Sequence, residues 1–241
     1  MTLGMITYRQ LGRNGQLGNQ LWQIAGTIGI AHKAGDMAAF PFWRYRSYFS
    51  VPDSLFPDLE PSQGHDLGLD YLQDLRNFED IEELIRAYFR PQPDVWARLA
   101  ARFAEVLALP HKTSLHVRKG DYLNHDGFFV DLPVGYYTEA MSLTRGPYLV
   151  FSDDIDWCRA NLTGDCLFMQ RNRDYEDLFL MAACDEHIMA NSTFSWWGAW
   201  LGNGLSVMPR DWGPAFGSTE TLFTTAQSIV LDVPRVAGTA A

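Results

Sequence analysis

Apolar positions recur at steps of four and three through Leu17, Leu21, Ile24, Ile28 and Ala31, which predicts an amphipathic helix entered from a loop that turns at Gly12 and Gly15. A second such stripe, Ile81, Leu84, Ile85, Tyr88 and Phe89, is closed by Pro91 and Pro93. A third helix is expected over 94–109, with Val95, Leu99, Phe103, Val106 and Leu107 inward and Asp94 as its N-cap. Beyond Pro110 the pattern changes to short apolar runs at 114–117, 148–151, 167–169, 188–190 and 205–208. Helical patterns separate several of them, at 175–184 and 195–201 for instance. Alternating strands and helices imply a parallel sheet that meets its ligand at the strand ends. The region of Pro110 and His111 is the expected seam between two halves, and 41–73, with four prolines among aromatic residues, reads as irregular surface structure.

Composition narrows the class. The chain has 241 residues, 47% hydrophobic and 20% charged, which excludes a disordered tail, a collagen-like repeat and a disulfide-knotted miniprotein. A net charge of −10 leaves no polybasic field for nucleic acid or anionic lipid, so a bound phosphate must be met locally. Cys158, Cys166 and Cys184 are odd in number and lack metal-type spacing, and read as reduced thiols. The first residues show no apolar core behind a basic start, so a soluble cytoplasmic protein without signal peptide or anchor is expected. Residues 188–209 are uncharged over about a membrane span. Polar residues and glycines interrupt them, which favours a buried helix beside a polar site.

Four constellations could carry chemistry. If 114–117 is a strand, His116 and Arg118 share a face, and a cation pair at a strand end suits a diphosphate. The alternative is a strand whose polar residues pair with nearby acids, Asp121 among them. In 151–156, Ser152 or Asp153 would N-cap the following helix, while the acid cluster also admits a hard cation or ligand contact. In 188–201 a strand delivers Ser192, Thr193 and Ser195 to a helix N-terminus, where free N–H groups favour an anion. Ordinary capping above a core helix is the alternative there, with Trp196, Trp197 and Trp200 read as core. The glycines of 15–20 lack dinucleotide spacing, but Asn19 and Gln20 could offer amides to sugar hydroxyls.

In order along the chain, 15–21, 116–122, 151–158, Asp177-Leu178 and 191–201, with the connecting stretches 71–90 and 132–137, resemble the α-1,2-fucosyltransferase family over roughly 11–212. The resemblance implies an α/β fold of the GT-B kind, two Rossmann-like domains facing a cleft, the N-terminal one small. Residues 1–110 would form the acceptor side and 111–241 the donor-binding domain. It implies an inverting enzyme that transfers L-fucose from GDP-β-L-fucose to the 2-hydroxyl of a galactose-containing glycan, with no metal or other cofactor. The alternatives are a transferase with another donor or linkage and a non-catalytic carbohydrate-binding relative. By similarity, Arg118 would grip the diphosphate and His116 shape its pocket. Asp153, Ser192, Thr193, Phe194 and Ser195 would line the donor site, and Asp177 would accept hydrogen bonds from guanine. Asn19 and Gln20 would face fucose or acceptor. An inverting displacement asks for a base near the acceptor hydroxyl, and Asp121 is the candidate by its proximity to Arg118, with Asp126 and Asp131 as rivals.

Overall fold

The computed structural model describes residues 4–57, 64–68, 70–120, 130–212, 224–225 and 227–233. Two units divide the chain, Met1–Leu107 and Ala108–Ala241.

The first unit is a parallel sheet of three very short strands, β1 (Met5–Thr7), β2 (Met37–Ala39) and β3 (His65–Asp66), with β1 in the centre. Between β1 and β2 runs α1 (Leu17–Ala34), the helix expected from the first stripe, buried along most of its length and ended by Gly35 in the left-handed conformation. The turn before it is also left-handed at Gly15, where a Cβ would lie 2.6 Å from the Asn19 amide. Residues 41–56 pack an aromatic cluster, with Trp43 stacked on Phe56 and against Phe49. The remaining helices are α2 (Glu82–Tyr88), α3 (Pro93–Arg102) and α4 (Ala104–Leu107).

The single helix expected over 94–109 is therefore two, because the chain leaves helical geometry at Phe103. Asp94 is not the N-cap. Gln92 holds that position and Pro93 opens the helix, as suits a residue with no N–H to satisfy. Asp94 instead pairs with Arg98 one turn on, at 2.8 Å.

The second unit holds a six-stranded, wholly parallel sheet in the order β6-β5-β4-β7-β8-β9. Its elements are β4 (Thr113–Val117), α5 (Val134–Ser142), β5 (Tyr148–Ser152), α6 (Ile155–Asn161), β6 (Cys166–Phe168), α7 (Asp174–Ala182), β7 (Glu186–Ile188), α8 (Thr193–Gly202), β8 (Leu205–Pro209) and β9 (Ser228–Leu231). Register aligns Leu115 with Val150 and Ile188, and Val207 with Ile188 and Ile229, so one aliphatic row crosses the sheet. Tyr136 and Tyr137 of α5 pack on that row. The Tyr136 hydroxyl donates to the Met189 carbonyl at 2.6 Å. Helix α8 lies close against α7, since a Cβ on Gly198 would come within 2.8 Å of Met181. Its tryptophans are buried, Trp196 stacking on Trp200. No described helix is long and apolar enough to cross a membrane.

Strand β7 begins two residues before the apolar run that pointed to it. The chain peels away after Ile188, and the Ser192 amide already donates back to the Ala190 carbonyl at 2.8 Å. At the N-terminal edge of the sheet, Glu186 accepts from the Arg145 amide at 2.8 Å and lies 3.4 Å from His111, while Asp185 accepts from the Lys112 amide at 3.0 Å.

Gly29, mid-helix in α1, tests how tightly that helix is seated. A Cβ there would sit 2.0 Å from the Asn77 carbonyl oxygen. Gly29→Ala is expected to lower stability by about 1–3 kcal/mol through overpacking, despite alanine's better helix propensity. Urea midpoints equal to or above wild type would show that the 75–78 turn yields freely.

Candidate active site

Strand order places the site. Chain order runs from β4 outward to β5 and β6 on one side, then crosses to β7, β8 and β9 on the other, so the direction reverses between β4 and β7. In an open parallel sheet a ligand crevice forms outside the C-terminal strand ends at that reversal. The residues leaving β4 are Arg118, Lys119 and Gly120, and those leaving β7 lead into α8.

Asp153 fixes the exit of β4. Val117 pairs with Ser152 in the β4–β5 register, which sets Asp153 across from the next residues of β4. Its carboxylate accepts from the Lys119 amide at 2.9 Å and the Gly120 amide at 3.0 Å, and its Oδ2 lies 3.2 Å from Arg118 Nε. The Arg118 side chain keeps 23% of its exposure. Asp153 thus holds both the turn and the guanidinium on it. The expected N-cap role falls to Asp154 instead, which accepts from the Trp157 amide at 2.9 Å, while the Asp154 amide donates to Ser152 Oγ at 2.9 Å.

His116 does not form the expected cation pair with Arg118. Burial, and after it the neighbouring Arg118 charge, pull its pKa down to about 3, so it is neutral across the physiological range. Its ring lies 5.7 Å from that of Phe194, and its Nδ1 is buried with no partner among the described residues.

Helix α8 is capped by Ser192, which accepts from the Phe194 amide. Ser195 is buried, with Oγ 3.2 Å from the Ala190 carbonyl and 3.1 Å from that of Ser192, so its hydroxyl hydrogen is committed to the backbone. Thr193 and Phe194 are half-buried on the first turn. Asn191 donates to the carbonyls of Val130, at 2.7 Å, and Trp212.

Of the expected donor-site residues, Arg118, His116, Asp153 and 192–195 thus gather at the C-terminal ends of β4, β5 and β7. Asp177 lies on α7, which follows β6 two strands from β4, and accepts from Asn172 at 2.7 Å. Asp121 and Asp126 lie outside the described residues. Asp131 accepts from Lys119 Nζ at 2.6 Å, which occupies one of its oxygens with a cation. In the first unit, Asn19 accepts from Gln73 at 3.0 Å. Gln20 is buried, donating to the Gly15 carbonyl and accepting from Trp43 Nε1, both at 2.9 Å.

Lys119 is the functional neighbour that motif reading passed over. Its ammonium is buried, bonded to Asp131 and to the Leu132 carbonyl at 2.7 Å, 4.2 Å from the centre of the Trp157 ring. Strand alternation carried the signal: it sets His116 and Arg118 on one face and Leu115, Val117 and Lys119 on the other, toward α5 and α6. A lysine facing a core needs an acid and a carbonyl, and it finds both. Among the described residues no group of His, Cys, Asp and Glu could hold a metal ion.

Residues 105–213 match glycosyl transferase family 11. The chain is 31% identical over 163 residues to an alpha-1,2-colitosyltransferase of Escherichia coli, covering 59% of this chain and 54% of that protein. It is 35% identical over 107 residues to galactoside alpha-(1,2)-fucosyltransferase 1 of Aotus azarae, covering 39% and 29%. The chain thus spans about half or less of the length of these relatives. Fucosyltransferase NodZ from Bradyrhizobium matches 82% of this chain and 92% of its own with a TM-score of 0.56 at 14% identity, a likeness of fold. NodZ has also been crystallised soaked with GDP-fucose. The fold of the chain, α/β with parallel sheets, is therefore of the GT-B kind, as the resemblance implied.

The buried histidines of the second unit set a pH dependence. His187, hydrogen-bonded through Nδ1 to Ser114 at 2.9 Å, is pulled down to about 4 by burial, Asp185 working against that. Below about pH 6.5 the unfolded chain protonates both His116 and His187 while the folded chain refuses the proton, so stability falls as pH drops from about 6.5 toward 4. Urea midpoints at pH 7 and pH 5 should differ less in His187→Gln than in wild type. Equal differences would remove His187 from the account.

Proposed function

We propose that the chain is an inverting glycosyltransferase that moves L-fucose from GDP-β-L-fucose to the 2-hydroxyl of a galactose-containing acceptor. The observation that carries this reading is Arg118, partly exposed at the reversal of strand order and braced by Asp153, at the end of the strand beside the one that leads to the N-terminus of α8. Breaking the fucosyl–phosphate bond puts negative charge on GDP and oxocarbenium character on the sugar. Fixed donors aimed at the phosphates stabilise that state more than the ground state. Arg118 supplies a fork that can span two phosphate oxygens, and the first turn of α8 supplies backbone N–H groups.

The second unit is the donor-binding side in this reading, with Asp177 toward guanine and Thr193 and Phe194 beside the phosphates. Ser192 and Ser195 shape the helix start from within. The first unit, with Asn19, is the acceptor side. His116, neutral and buried, lines the pocket without adding charge. Inversion requires attack from the face opposite GDP, with a base near the acceptor hydroxyl. Asp121 and Asp126 stand for that role, and Asp131 is set back by its pairing with Lys119. The leaving-group charge is met by Arg118 and backbone donors, so no metal is needed in this scheme. A second reading, transfer of colitose in place of fucose, is favoured by the similarity to the Escherichia coli colitosyltransferase.

Calorimetric titration of GDP in chelator tests the proposal. Wild type should bind, Arg118→Ala should lose at least about tenfold in affinity, and Arg118→Lys should recover only part, because an ammonium cannot bridge two oxygens. Folded wild type that fails to bind GDP would overturn the reading. Transfer from GDP-fucose to a galactoside should likewise persist in chelator; loss of transfer restored by Mg²⁺ or Mn²⁺ would refute the metal-free scheme. Parallel assays with GDP-fucose and GDP-colitose decide between the two donors.

A further inference from the structure

In the first unit, the loop leaving β2 turns one aromatic side chain out of an aromatic cluster. Phe42 is 84% exposed, whereas Phe40 and Trp43 beside it are 0% and 1% exposed. It is by far the most exposed of the large hydrophobic side chains described. Burial is the usual fate of a phenyl ring, and the cluster of Trp43, Phe49 and Phe56 lies next to it in the same segment.

The segment that carries Phe42 is anchored on both sides. The Phe40 amide donates to the Leu55 carbonyl at 2.8 Å, and the Arg46 amide to the Trp43 carbonyl at 3.0 Å. Trp43 is tied through its indole N–H to Gln20, whose amide reaches the Gly15 carbonyl. One buried side chain therefore locks the Phe42 loop to the glycine loop in front of α1. Because β1 and β2 are parallel, both loops leave the sheet at its C-terminal edge, where parallel sheets meet their ligands. Two residues on, Arg44 is exposed as well, its guanidinium over the Tyr45 ring at 4.5 Å.

A rigidly mounted, outward phenyl ring with an arginine beside it has the chemistry of a sugar platform. In a galactopyranose the axial 4-hydroxyl leaves the C–H bonds at C3, C4 and C5 together on the opposite face. That apolar patch can lie flat on an aromatic ring, while the equatorial 2-hydroxyl stays at the rim. We propose that Phe42 is the acceptor platform of the first unit, stacking against the apolar face of a galactose residue, with Arg44 directed to its hydroxyls. The proposal rests on the galactoside acceptor named above. Gln20, expected from sequence to touch sugar, becomes a positioning residue: both ends of its amide are used in holding the platform loop.

Saturation-transfer NMR with methyl β-D-galactoside, in the presence of GDP, tests this on the full chain. Phe42→Ala should weaken galactoside binding about tenfold or more, and Phe42→Tyr should retain it, because the π-face is kept. The thermal midpoint and GDP affinity of both variants should stay at wild-type values, which loss of a merely structural residue would not allow. Equal galactoside binding in wild type and Phe42→Ala overturns the platform, as does wild type that binds GDP but no galactoside. If wild type binds galactoside but not GDP, and Phe42→Ala still loses the sugar, the donor assignment fails and the platform stands.

Discussion

The carboxylate of Asp153 is the constraint on which the rest of the site depends. A chain leaving a strand has two free amides and no ladder to receive them, so its direction is undetermined until something accepts both. Asp153 accepts both, Oδ1 from Lys119 and Oδ2 from Gly120, and the second oxygen also meets Arg118. A charged acceptor bonded to three donors is a strong and directional joint. Below the same turn, the Lys119 ammonium reaches Asp131 and Leu132 in the opposite direction. Arg118 is therefore held by Asp153 of the neighbouring strand, while the next residue of the same turn is tied down through its own buried side chain. Little reorganisation of the turn would be needed for the proposed phosphate contact, which is the condition under which fixed charges do most for a transition state.

Much of this was legible in the order of residues, and the reasons for the exceptions are physical. The α1 stripe is long enough for its period to show, and the strands of the second unit stand out because a sheet covered on both faces needs continuous apolar runs. Strands β1, β2 and β3 have two or three residues each, too few for any alternation to be seen. The partnership of Arg118 with Asp153 depends on the β4–β5 register, which packing sets and local sequence does not. His116 looked like a cation because only the fold shows how deeply it is buried. Phe42 does not stand out for the converse reason: in a run containing Phe40, Trp43 and Tyr45, composition cannot say which ring is turned out.

Capping chemistry explains how one stretch of hydroxyls and acids can serve both structure and ligand. Ser192, Ser195, Asp153 and Asp154 each satisfy backbone groups that a strand-to-helix transition would leave open. Their side chains are used up in shaping the loop ends. The positions of the backbone N–H groups at these loop ends are then set by the fold and hardly by side-chain rotamers.

The ion pairs at the N-terminal edge of the six-stranded sheet lead to a different kind of consequence. His111, Lys112, Arg145, Asp185 and Glu186 knit the starts of β4, β5 and β7 together, a full strand length from Arg118 and α8. Strength and reactivity are thereby assigned to opposite ends of the same strands. Such a scaffold can be hardened against heat at one rim, or diversified in its loops at the other, with neither change intruding on the other.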